Sequence, residues 1–202
     1  MKVLTLSRDT LTDLSKQLLT LIQKDNIDID MMIGIATGGI YVSQPIYEQL
    51  QKEQWEGDYA EIKLSRPSTQ KKESLGIKRV LTKLPYFLSN ILRILEVKFL
   101  EKFKVKVYDK NKEKYIHFSE KQIKEIQGVE TLLLIDDAID TGTTMLALKN
   151  VIQELNPEII VKTAVLTVTH KHPYLAPDYT LYKDVLLRCP WAMDYKGEDK
   201  IG

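Results

Sequence analysis

The chain has a single cysteine, Cys189, among its 202 residues. One thiol excludes an internal disulfide and a cysteine-cluster zinc site, and it fits a reducing, cytoplasmic setting. The three scattered histidines, His117, His170 and His172, supply no structural metal set. No run of about 18 uncharged apolar residues occurs, so no segment reads as a simple membrane-spanning helix. Residues 1–9 meet polar and acidic side chains too early for a signal peptide. Gly-Lys-Ser/Thr and Gly-x-Gly-x-x-Gly are both missing, which removes the P-loop and the dinucleotide fingerprint.

What is present suits one globular domain, 1–202, since domains run to roughly 100–200 residues. Apolar residues make up 44% and charged residues 28%, enough to build a core and too apolar for wholesale disorder. The net charge is only +1, but it is unevenly spread. Between 71 and 114 there are thirteen Lys or Arg and five Asp or Glu, a net +8, so the remainder carries −7. A basic segment set into an acidic domain points to an anionic contact.

Periodicity gives the elements. Residues 3–6 read as a short strand. Residues 9–24 read as an amphipathic helix, with Leu11, Leu14, Leu18 and Ile22 on one face. Residues 31–36 form a short apolar run suited to a buried strand, and 40–50 resume as a helix. Residues 59–64 alternate as a strand, and 65–76, polar and containing Pro67, read as an exposed loop. A second amphipathic helix is expected over 84–105, and a hairpin over 106–118 around 109–112. Residues 131–135 read as a buried strand, 144–155 as a helix stopped by Pro157, 159–168 as a strand and 179–187 as extended chain. Strands alternating with helices predict an α/β fold with an open, mostly parallel sheet. Its ligands would lie along the edge formed by the strand carboxyl ends. Residues 70–118 form an inserted helix and hairpin within it.

The chemistry concentrates in Leu132-Leu133-Leu134-Ile135-Asp136-Asp137-Ala138-Ile139-Asp140-Thr141-Gly142-Thr143-Thr144. An apolar strand ends in two adjacent carboxylates, and a third precedes a hydroxyl- and glycine-rich turn that opens a helix. Free N–H groups at a helix N-terminus bind phosphate, and threonine hydroxyls add donors. Gly142 allows a close backbone approach. Two carboxylates suit the vicinal hydroxyls of a ribose and attract a divalent cation. Adjacent aspartates at the end of a buried strand are costly without such a partner. A phosphate cradle beside a diol binder describes a ribose 5-phosphate site.

This stretch resembles the phosphoribosyl pyrophosphate (PRPP) motif of the type I phosphoribosyltransferases, and most closely that of the hypoxanthine/xanthine-type members. The resemblance implies that Asp136 and Asp137 hold the ribose hydroxyls and contribute to magnesium binding. Thr141, Gly142, Thr143 and Thr144 would cradle the 5-phosphate, and Asp140 would be the general base. Ala36-Thr37-Gly38-Gly39 resembles the family's pyrophosphate loop, with Thr37 where purine-salvage members usually carry Lys or Arg. Cys189-Pro190-Trp191-Ala192-Met193-Asp194 is similar to the segment that closes the base pocket, a small C-terminal hood. By that match Trp191 lines the acceptor pocket and Asp194 assists the pyrophosphate-side magnesium. Lys171 falls where those enzymes set a lysine on the purine 6-oxygen. Residues 65–76 fall where the family keeps a mobile loop, with Arg66 available to the pyrophosphate. Leu186 aligns with the ring that stacks on the purine, and an aliphatic side chain there departs from the family pattern. Homodimers are usual in the family.

The acceptor is the open question at this level. Residues 82–106 combine a broad apolar face with Lys83, Arg93, Lys98, Lys102, Lys104 and Lys106, the pattern of a helix lying on an anionic membrane. Packing on the domain or a dimer contact is the alternative. With Leu186, this favours a lipid-linked sugar that receives ribofuranose 5-phosphate, as in family members that act in surface-polysaccharide assembly. Such an enzyme would be cytoplasmic, peripheral at the inner face of the membrane. A 6-oxopurine ranks second, on Asp140, Lys171 and Pro190-Trp191. A PRPP-sensing nucleic-acid-binding regulator ranks third. Clustered Lys/Arg suit phosphates, but the Leu and Phe of the insertion oppose that reading, because such interfaces are polar.

Overall fold

The structure is a computed structural model that describes residues 1–63, 85–103 and 116–201, with side chains of 96–103 outside the description. The elements are β1 (Lys2–Thr5), α1 (Arg8–Gln23), β2 (Met31–Ile35), α2 (Gly38–Lys52), β3 (Asp58–Ile62), α3 (Tyr86–Phe103), α4 (Glu120–Gly128), β4 (Thr131–Ile139), α5 (Thr143–Leu155), β5 (Ile160–Val168), β6 (Tyr179–Lys183) and β7 (Val185–Arg188). The loop over 65–76 with Arg66 and the turn of the hairpin at 109–112 lie outside the described residues. So do both ends of the 82–106 segment.

A five-stranded sheet runs in the order β3-β2-β4-β5-β6, with every pair parallel. Its central strands are apolar on both faces, as a sheet covered on both sides requires. Alternate residues feed two cores. Met31, Ile33, Leu132, Leu134, Val161 and Val165 pack with Ile126 of α4 and Met145, Leu148 and Ile152 of α5. Met32, Leu133, Ile135, Ala164 and Leu166 pack with Leu11, Leu14, Leu18 and Ile22 of α1 and with Val42 and Ile46 of α2. The stripe expected for the first helix is therefore its buried face.

Three boundaries differ from expectation, each for a physical reason. The strand expected over 131–135 runs on to Ile139, because the residues after Ile135 pair with β5 through Asp136↔Val165, Ala138↔Thr167 and Ile139↔Val168. The extended run 179–187 breaks at Asp184, whose φ of 59° turns the chain. β6 then joins the main sheet and β7 pairs with β1 in a separate two-stranded sheet. α4 was not expected. It is nine residues long with one buried side chain, Ile126, and a capping box between Ser119 and Gln122 starts it.

One buried cation ties the periphery together. Arg188 on β7 is 1% exposed. Its guanidinium donates to Asp194 Oδ2 (3.0 Å), Thr5 Oγ1 (3.1 Å), Ser89 Oγ (2.8 Å) and Asn90 Oδ1 (2.6 Å). It also lies 4.4 Å from the Tyr86 ring centroid. Arg93 of α3 grips the same carboxylate through Nε (3.0 Å) and through Nη2. Burial alone would raise the Asp194 carboxyl, but the hydrogen bonds and charges of Arg93 and Arg188 outweigh it and hold it below the usual range.

A buried pair broken on one side leaves a charge uncompensated. Arg188→Leu is therefore expected to lower the unfolding free energy by about 3–5 kcal/mol, read by urea denaturation. Because the folded carboxyl sits below its unfolded value, its contribution is complete above about pH 4 and fades as pH falls through the folded value. The stability gap between the wild type and Asp194→Asn should shrink over that acid window.

Candidate functional site

Parallel pairing of β2 with β4 sets their carboxyl ends side by side, with Gly34 level with Ile135. β2 ends at Ile35, and its chain turns through the cis Ala36–Thr37 peptide bond into α2. The Ala36 N–H donates to Ile62 O (2.8 Å), anchoring the turn to β3. The two glycines that follow lie flush on the end of β4. A Cβ at Gly38 would sit 2.3 Å from Asp137 Cγ, and one at Gly39 would sit 2.3 Å from Ile135 O. Only glycine permits that approach. Ala36, Thr37, Gly38 and Gly39 thus form a loop against the two aspartates, from residues a hundred positions away in sequence.

Asp136 is buried, and its Oδ1 accepts the Asp137 N–H at 2.9 Å. Asp137 is half-buried, and Asp140 is exposed where β4 gives way to the turn. Gly142 is the N-cap of α5 at φ 76°. A glycine cap has no side chain to accept from the first N–H groups of the helix, and a helix start of that kind suits an anion. Thr143 and Thr144 form the first turn of α5, and the Thr141 and Thr143 hydroxyls lie 3.2 Å apart.

The chain after β5 closes on this turn. The Thr169 N–H donates to Ile139 O (2.9 Å) and the Tyr174 N–H to Thr141 O (2.8 Å). The backbone of Leu175 lies 2.8–2.9 Å from where a Gly142 Cβ would be. Lys171 stands exposed on this same loop. On the other side, Trp191 stacks on Tyr41 at 4.8 Å and 17°, one turn into the helix that Gly38 begins. Tyr41 was missed from sequence, although its place just after the Gly-Gly turn was the available signal. Cys189 is buried, and burial with the nearby Asp137 charge pushes its thiol up against a smaller opposing pull from Arg93. It is a protonated packing residue, not a nucleophile.

Asp194, expected to assist the pyrophosphate-side magnesium, is paired with Arg93 through Oδ1 and with Arg188 through Oδ2. Among the described residues, no three His, Cys, Asp or Glu side chains gather as a metal set. Leu186 lies half-buried on β7, paired with Val3 and on the strand face it shares with Arg188. It belongs to the separate two-stranded sheet, whose second strand leads to Cys189, close enough to feel the Asp137 charge.

A parallel α/β sheet with a glycine-capped helix start beside paired carboxylates is the class of fold that takes its ligands at the carboxyl ends of its strands. The phosphoribosyl transferase domain model matches residues 7–194, and the chain belongs to that family. It is similar in fold to the purine phosphoribosyltransferase of Pyrococcus horikoshii Ot3, at 15% identity and TM-score 0.56 over 95% of both chains. It is also similar to the Helicobacter pylori xanthine-guanine-hypoxanthine phosphoribosyltransferase, at 12% identity and TM-score 0.51 over 92% of this chain and 91% of that one. A hypothetical protein from Neisseria gonorrhoeae with bound ppGpp matches at 17% identity and TM-score 0.55 over 95% of this chain and 90% of that one. No curated relative matches the chain.

Gly142→Ala should cost about 1–3 kcal/mol in unfolding free energy, for strain at positive φ. The new Cβ would also press on Leu175. Chemical denaturation beside Gly128→Ala, where a Cβ meets nothing within 4 Å, isolates the effect.

Proposed function

We propose that this protein transfers the 5-phosphoribosyl group of PRPP to a 6-oxopurine and releases pyrophosphate. The observation that carries the reading is the docking of the Lys171 loop on the 140–144 turn through Tyr174 N–H···O Thr141. Lys171 belongs to that loop, and a lysine there would suit a purine 6-oxygen. Purine enzymes among the structural neighbours favour the same acceptor. The lipid-linked sugar ranked first from sequence has no counterpart among the neighbours named above.

In this reading Asp136 and Asp137 orient the ribose hydroxyls, and the N–H groups of 141–144 hold the 5-phosphate. The Gly38–Gly39 backbone and the Thr37 hydroxyl face the pyrophosphate. The bond from the anomeric carbon to pyrophosphate breaks as the purine nitrogen bonds to that carbon. Asp140 accepts the proton that the nitrogen loses. Preorganised N–H groups at both phosphate positions keep the reacting atoms aligned. Magnesium fits the donor set, since it takes one or two carboxylates plus substrate phosphate oxygens. Asp136 and Asp137 would hold it. It would neutralise charge on the departing pyrophosphate. Trp191, braced on Tyr41, would wall the acceptor side, and a homodimer belongs to the same reading.

The test supplies labelled PRPP with hypoxanthine, guanine and xanthine in one series and a membrane extract in another. Label in a nucleotide is expected, and label in the lipid fraction would restore the sugar acceptor. Asp140→Asn should lower kcat about 10²–10⁴-fold with PRPP affinity kept. Asp137→Asn should weaken PRPP binding itself, measured by calorimetry.

A further inference from the structure

α3 is amphipathic in the wrong sense for a helix facing water. Its inward positions are polar. Ser89 is 1% exposed, and Asn90 and Arg93 reach the Arg188–Asp194 pair. Its outward positions are apolar, with Phe87 65% exposed, Leu88 38%, Ile91 43%, Leu92 46% and Leu95 56%. A surface helix ordinarily turns its apolar stripe to the core. Here the stripe has nothing of this chain over it among the described residues, because the core-facing side is committed to the buried ion network.

The size and charge of the patch say what covers it. The five side chains expose on the order of 500 Å² in one stripe, at the upper end of what monomers show and typical of an interaction site. The segment 71–114 around the helix carries a net +8 in a chain of +1. The Nζ of Lys196 adds a cation 5.6 Å from the Tyr86 ring centroid, where the stripe begins. Aromatic and leucine side chains on one face within a basic segment match an anionic lipid surface. Among the described residues no helix is long and apolar enough to cross a membrane, so the helix would lie on it.

We infer that the Phe87–Leu95 face of α3 docks this protein on anionic membranes, seating those side chains among the acyl chains. The inference does not rest on the identity of the acceptor. The test is flotation of the full chain with phosphatidylcholine vesicles, with and without 30% phosphatidylserine, at two salt concentrations. Binding is expected only with phosphatidylserine, and high salt should reduce it. Phe87→Ser/Leu92→Ser should lower the bound fraction about tenfold while melting temperature and PRPP binding stay unchanged. If the double variant misfolds, Leu95→Ser alone serves, and the wild-type result stands without either. No flotation of the wild type overturns the proposal. So does a wild-type dimer in light scattering that the same substitutions convert to a monomer, since the face would then join two copies.

Discussion

Arg188 is a buried cation, and a buried cation must be paired and hydrogen-bonded. Its partners come from three places in the chain: Thr5 at the end of β1, Ser89 and Asn90 on α3, and Asp194 beyond β7. Satisfying one guanidinium therefore fixes how α3 and the C-terminal segment sit on the β1–β7 pair. That placement carries Trp191 onto Tyr41, and Tyr41 belongs to the helix that opens at Gly38. The hood and the pyrophosphate loop are thus braced by the same small set of contacts.

The same pair settles two other features. It gives the Asp194 carboxylate two arginine partners. It also turns the polar side of α3 inward, leaving the apolar side facing out. An ion network of this kind adds little net stability over a well-packed apolar alternative. What it does supply here is orientation.

In the proposed reading the site is mostly backbone. N–H groups at 141–144 and a glycine loop at 37–39 would provide the donors, with Asp136 and Asp137 between them. Phosphates suit such donors, which are rigid, neutral and already aligned. The absence of a cation at Thr37 is consistent with this arrangement, since the Gly38–Gly39 backbone approaches the β4 carboxylates directly.

The parallel sheet, the strand that ends in Asp136-Asp137 and the phosphate turn were all legible from the amino-acid order. Each is a local pattern: an apolar run, a carboxylate pair, a glycine at a helix start. The family resemblance followed from those patterns and the domain match over 7–194 bears it out. α4 escaped because it buries a single side chain and leaves almost no periodic signal. The length of β4 escaped because pairing with β5 overrides the polarity of its last residues. The sequence by itself determined the strands and the turn, since those depend on neighbours in the chain. Only the tertiary structure decided the partners of Asp194, the sheet to which Leu186 belongs and the outward face of α3. Arg93 and Asp194 lie 101 residues apart, and a contact at that separation leaves no periodic trace in the sequence.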